Sequence, residues 1–150
     1  MNPEKFSEIA KVALAEGNMR LFIQLTGDIY SITGIVVHGN HLGRKLGFPT
    51  ANLELDDNNL FLPPYGVYAV NTVVEMRVLK GIANAGIRPT VDGKTMRVEI
   101  HIFDFSEDLY GKTLVVKFID RIRAEIKFKN LDELAFQIRE DKRKALYLLA

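Results

Sequence analysis

Apolar positions change their period once, near residue 30. Before that point Phe6, Ile9, Ala10 and Ala13 recur at helical spacing. The pattern predicts a helix that Asn2 caps, Pro3 opens and Gly17 interrupts, because proline fits a first turn whose N–H groups have no helical partner. A second short helix is expected from Asn18, burying Leu21, Phe22 and Leu25 and stopping at Gly27. From Tyr30 onward β-branched and aromatic runs take over: Ile32, Val36 and Val37, then Val67 to Val74, Val78 to Ala83, Met96 to Phe103 and Leu114 to Ile122. Turn-rich stretches separate them at Gly39 to Gly47, Pro63 to Gly66, Gly86 to Gly93 and Asp104 to Gly111. That spacing predicts a mainly β fold, a small antiparallel Greek-key-like barrel whose long loops gather near one mouth. Asn130 followed by Glu133 reads as a capping box, and Leu131, Leu134, Ile138, Ala145 and Leu149 mark the apolar stripe of a closing C-terminal helix. The expected division is a helical, connector-like segment over 1–29 and a barrel with its closing helix over 30–150.

Composition narrows the class. The chain has 150 residues, 47% of them hydrophobic, which suits one continuous core. Twenty Lys plus Arg face nineteen Asp plus Glu, for a net charge of +1 with no basic block, so nucleic acid is not an expected partner. Cysteine is absent, which removes disulfides, thiolate metal sites and cysteine nucleophiles. Met1 to Lys5 opens a polar helix rather than a signal peptide, and no apolar run approaches the roughly 20 residues of a membrane helix. A cytoplasmic protein without membrane contact is expected. No self-pairing apolar face stands out, so the expected state is a monomer.

Candidate chemistry concentrates between Gly39 and Asn52. Gly39, Gly43 and Gly47, with Arg44 and Lys45 among them, make a loop whose N–H groups can approach phosphate oxygens, and the same pattern also describes a solvated hairpin. Pro49 fixes the backbone, and Thr50 and Asn52 point the same way if the segment is extended. A hydroxyl and an amide carbonyl are hard, neutral oxygen donors that suit Mg²⁺ carrying nucleotide phosphates. In the other reading both bond only to nearby backbone. Further along, Arg97, Glu99 and His101 share one strand face while Val98, Ile100 and Ile102 share the other. Glu99 therefore points away from the aliphatic layer, as a functional carboxylate or as an ordinary solvated one. His38, His41 and His101 are scattered without ligand spacing, so no transition metal is expected. Gly93-Lys94-Thr95 and Gly111-Lys112-Thr113 mimic the end of a phosphate loop but lack its earlier glycine, and are read as turns.

Gly47-Phe48-Pro49-Thr50-Ala51-Asn52-Leu53 resembles the riboflavin kinase family, including the kinase half of bifunctional bacterial FAD synthetases. Asn84 to Thr90, Val98 to His101 with Asp104 to Gly111, and Ile122 to Phe128 resemble further family segments in the same order. The resemblance runs from about Tyr30 to Leu146. It implies phosphoryl transfer from ATP to riboflavin, giving FMN and ADP, with Mg²⁺ held by Thr50 and Asn52 and with Glu99 as the base. It further implies nucleotide contacts from Gly39, Gly43, Arg44, Lys45, Thr50, Asn52 and Tyr110. Flavin contacts would come from Asn84, Gly86, Pro89, Thr90, Arg123 and Phe128, although Arg123 could equally bind carbonyls or a carboxylate on the surface. The flavin ring is then expected between the loops around Gly86 to Thr90 and Arg123 to Phe128.

Asn40, His41, Leu42 and Ala124 depart from the family's usual residues. Ala13 to Tyr30 resembles the connector of the bifunctional enzymes, and a chain of this length is not expected to make FAD from FMN. Two other functions compete: a non-catalytic flavin-sensing module and a barrel that binds single-stranded nucleic acid.

Overall fold

Alternation along the strands sorts side chains between two hydrophobic layers. The computed structural model describes residues 5–38, 47–55, 63–90 and 93–150, with backbone alone at 87–90 and 93–96. Among these residues the strands are β1 (Ser31–Val37), β2 (Ala51–Leu55), β3 (Gly66–Val74), β4 (Arg77–Thr90), β5 (Gly93–Ile102) and β6 (Thr113–Arg123). The helices are α1 (Glu8–Ala15), α2 (Met19–Thr26) and α3 (Leu131–Leu148). The strands close into an antiparallel barrel in the order β1-β2-β5-β4-β3-β6. Within it β6-β3-β4-β5 is a Greek key, three hairpin-connected strands with the fourth returning beside the first. Inward residues such as Leu53, Tyr68, Val70, Ala83, Val98, Ile100, Val116 and Phe118 build the barrel core. Ala10, Ala13, Leu14, Met19 and Phe22 of α1 and α2 belong to the same cluster. Aromatic contacts, edge-on except for the tilted Tyr30–Phe118 pair, run from Phe6 through Phe22, Tyr30 and Phe118 to Tyr68 and join the helices to it. Outward residues Val67, Ala69, Ile82 and Phe103 form the second layer under α3, against Ile138, Ala145 and Leu149.

The structure moves several predicted boundaries. Asn2 and Pro3 lie outside the described residues; α1 starts at Glu8, where Ser7 Oγ accepts from the Ala10 N–H at 3.2 Å. Ile9, Leu25 and Leu131, expected in apolar stripes, are exposed. Asn18 caps α2 and Gly27 ends it in the left-handed region, as the pattern predicts. Gly17 does more than interrupt: its φ is +74°, and an added Cβ would lie 3.0 Å from the Tyr68 hydroxyl and 3.1 Å from Arg121 Cδ. Glycine therefore suits the α1–α2 corner, because a side chain there would be strained at this φ and would press on Tyr68 and Arg121. β2 is a strand that the propensity pattern does not single out. The stretch expected as a Gly86 to Gly93 turn is strand on both sides, since β4 runs on to Thr90 and β5 begins at Gly93. Gly93 to Thr95 is therefore strand rather than turn. The long loops accordingly do not all gather at one mouth.

The β3–β4 hairpin turns on two non-glycine residues in the left-handed region, Glu75 (φ 48°) and Met76 (φ 66°), the primed geometry that matches strand twist. Its tip fastens the loop before β6. Glu75 pairs with Lys112, Arg77 with Glu107 at 2.8 Å, and the Arg77 guanidinium lies 5.5 Å from the Phe105 ring centre.

Candidate active site

The polar row that matters lies on the outside of the barrel. Asn52 of β2 and Asn84 of β4 are both direct cross-strand partners of Glu99 of β5. Residues paired this way share a face, and their neighbours Leu53, Ala83, Ala85, Val98 and Ile100 point into the core. Two cavities open along the row. One, of about 300 Å³, is lined by Val36, His38, Thr50, Asn52, Phe105 and Tyr110, among others. The second, of about 530 Å³, lies between the outer sheet face and α3; Phe48, Ile82, Asn84, Glu99, Arg123 and Phe128 are among its walls. Thr50 lines both. Glu99 faces the larger cavity, and its neighbour Asn52 faces the smaller.

In the smaller cavity, Asn52 is 4% exposed, and its Oδ1 is buried without a hydrogen-bond partner. Leaving such an acceptor unmet costs about 1–3 kcal/mol, so folding alone does not explain it. An oxygen of this kind beside the Thr50 hydroxyl fits a hard divalent cation that takes its other ligands from phosphates and water. Among the described residues, no group of three or more His, Cys, Asp or Glu side chains forms a metal site. On the rim the Tyr110 ring stacks on His38, with centroids 3.9 Å apart and planes 17° from parallel. The Asp108 carboxylate accepts from the Tyr110 N–H at 2.9 Å, and Gly111, at φ +79°, donates its N–H to Val36 O at 2.9 Å. The turn thereby delivers Tyr110 to β1, where His38 follows the strand.

The larger cavity combines apolar walls with committed charges. Arg123 Nε donates to Asp141 Oδ1 and Oδ2 at 3.0 and 3.1 Å, and Nη2 donates to Oδ2 at 2.8 Å. Nη1 donates to the Ala124 carbonyl at 3.0 Å, and the guanidinium lies 5.8 Å from the Phe128 ring centre. Gln137 also donates to Asp141 Oδ1, at 2.9 Å. Arg123 thus bolts β6 and the 124–128 loop to α3 while lining the cavity. Gly86 does not line it: the place of its missing Cβ is filled by the Glu125 carboxylate, which faces the cavity. Burial holds His101 below the ordinary histidine pKa, which favours the neutral ring. Its Nδ1 lies 3.0 Å from the Pro49 carbonyl oxygen.

Of the residues singled out in the sequence, Thr50, Asn52, Asn84, Glu99, Tyr110, Arg123 and Phe128 come together around these cavities. Gly39, Gly43, Arg44 and Lys45 lie outside the described residues, as do the side chains of Pro89 and Thr90. The 84–90 segment forms part of the sheet rather than a loop. Sequence reasoning did not assign His38, Glu125 and Asp141 to the site. Glu125 was visible within the Ile122 to Phe128 match, whereas nothing local marks Asp141 as the partner of Arg123.

Two cavities that meet at one hydroxyl, with a carboxylate on one side and a cation-fitting amide oxygen on the other, suit a two-substrate transferase. The family model for riboflavin kinase (Flavokinase) matches residues 26–149. The chain belongs to the riboflavin kinase family, whose members use ATP and a divalent metal ion. It is 42% identical over 143 residues to the bifunctional riboflavin kinase/FMN adenylyltransferase of Haemophilus influenzae, covering 94% of this chain and 46% of the relative. The enzyme of the same name from Bacillus subtilis is 41% identical, covering 93% and 45%. The chain spans about half the length of these relatives. Among solved structures, a macrolide-efflux protein from Streptococcus pneumoniae is similar with a TM-score of 0.86 and 38% identity, over 92% of this chain and 45% of that one. Riboflavin kinase from Trypanosoma brucei is similar with a TM-score of 0.55 and 25% identity, over 79% and 78%. No helix among the described residues is long and apolar enough to cross a membrane.

Proposed function

We propose that this chain transfers the γ-phosphoryl group of ATP to the terminal ribityl hydroxyl of riboflavin, giving FMN and ADP, with Mg²⁺ as the metal. The observation that carries the reading is the Asn52–Glu99 pair, cross-strand neighbours that open on different cavities joined at Thr50. ATP belongs in the smaller cavity, its base at the His38–Tyr110 stack and its phosphates towards Thr50 and Asn52. Riboflavin belongs in the larger one, with its ring against Phe128 and Ile82, near Asn84, and its ribityl chain leading to Glu99. The reading concerns the kinase half of the two activities in the relatives' names.

Phosphoryl transfer asks for positioning more than covalent chemistry. Thr50 and Asn52 would hold the cation through neutral oxygens. When bound, the divalent ion would offset the negative charge that builds up on the phosphates during transfer. Glu99 accepts the proton of the ribityl hydroxyl as its oxygen bonds to the γ-phosphorus, and the bond to the β-phosphate's bridging oxygen breaks to release ADP. α3 and the 124–128 loop exclude water from the flavin side.

Purified protein with riboflavin, ATP and Mg²⁺ is expected to form FMN, resolved by chromatography. A folded, flavin-binding protein that forms none would overturn the kinase reading in favour of a sensing module. Asn52→Ala is expected to weaken Mg–ATP binding by at least about tenfold, since even outer partners of a metal site are worth that much. Its melting temperature should hold, because the lost oxygen has no partner in the fold. Unchanged nucleotide affinity in a calorimetric titration would remove Asn52 from the metal site.

A further inference from the structure

Thr50 must be held where the two cavities meet, yet it lies just outside β2. The β2–β5 ladder ends at the Ala51–Ile100 pair, and Pro49 has no N–H to extend it. At the next position β5 supplies a side chain instead, with His101 Nδ1 3.0 Å from the Pro49 carbonyl oxygen. A carbonyl can only accept, so Nδ1 carries the hydrogen. The ring is buried and lies between two phenyl rings: Phe48, with centroids 5.5 Å apart at 89°, and Phe103, at 5.5 Å and 68°. α3 secures the far side, where Lys142 Nζ lies 5.3 Å from the Phe103 ring centre.

We infer that His101 is a positioning residue for phosphoryl transfer: its Nδ1–H, clamped between Phe48 and Phe103, ties down the Pro49 carbonyl and so fixes Thr50 at the junction of the cavities. The rate consequence rests on the kinase reading above, and the tether itself does not. Simple packing between the phenyl rings would need no donor. An apolar substitute and a donor-keeping one therefore separate the two roles.

The experiment compares the parent with His101→Leu and His101→Asn. The first keeps apolar bulk, and the second returns an N–H close to the place of Nδ1. Two quantities are measured: the ¹⁵N-relaxation order parameter of the Thr50 amide, and kcat with the KM values for ATP and riboflavin. The parent is expected near the rigid-backbone value of about 0.85 and His101→Leu below about 0.6, with His101→Asn close to the parent. kcat should fall by about tenfold in the leucine variant, as expected for loss of one positioning hydrogen bond, and return in the asparagine variant. An unchanged Thr50 order parameter in His101→Leu overturns the tether. A loosened Thr50 with parental kcat overturns its part in transfer. Equal losses in both variants assign His101 to packing and overturn the proposal too. A parent that makes no FMN sinks the kinase reading, while the order parameters still decide the tether.

Discussion

Glu99→Gln is expected to lower kcat for FMN formation by about 10²- to 10⁴-fold, the usual worth of a positioned base. The amide matches the carboxylate in shape, so Asn52 and Asn84 on the flanking strands keep their neighbour while the proton acceptor is lost. Glu99 is half-buried on the outer face, away from the aliphatic core, so the change should leave the melting temperature close to the parent's. Binding of ADP and FMN, followed by flavin fluorescence and calorimetry, should persist, which separates lost chemistry from a lost pocket. Near-parental turnover would take Glu99 out of the base role.

The largest effect on stability is expected from Asp141→Ala. Asp141 is 2% exposed and accepts three hydrogen bonds from Arg123 and one from Gln137. Removing it strands a largely buried guanidinium, at a cost of about 3–5 kcal/mol. That corresponds to a fall of roughly 10 °C in melting temperature for a chain of this size. Flavin affinity should fall as well, because the freed Arg123 no longer anchors the 124–128 loop to α3. The double variant Arg123→Met with Asp141→Leu should regain much of the stability, since an apolar pair can replace a buried ionic one. Calorimetry that finds Asp141→Ala within a degree or two of the parent would show that the pair does not brace α3.

Much of this architecture was legible because its signals are local. The period change near Tyr30, the Asn18 and Gly27 ends of α2 and the alternation around Glu99 all rest on neighbouring residues. The misses share a different cause. β2 is Ala-Asn-Leu-Glu-Leu, without one β-branched or aromatic residue, and becomes a strand because β1 and β5 pair with it on either side. In β4, Gly86 and Pro89 read as turn chemistry, but pairing with β5 overrides that signal. At the site, Glu99 and Thr50 stood out through the resemblance of their segments. His101 was legible only as a neighbour of Glu99 on one strand face and as one of three scattered histidines, since its partner Pro49 is 52 residues away. Asp141 was not singled out at all, because burial against a neighbouring strand leaves no mark on the residues beside it in the sequence.

The outward position of the polar row divides labour by parity on the side of the larger cavity. On β5 the odd-numbered Glu99 and His101 line that cavity, while the even-numbered Val98, Ile100 and Ile102 fill the barrel interior, where Ile100 and Ile102 also edge the smaller cavity. Mutational drift at Val98 can therefore retune thermal tolerance with little trace in the chemistry, and changes on the odd face need not rebuild the core. A one-residue insertion within β5 breaks that independence at once, because it exchanges the two sets and points a carboxylate into the aliphatic interior. Length changes in this lineage should accordingly fall in its loops and spare the strand that carries Glu99.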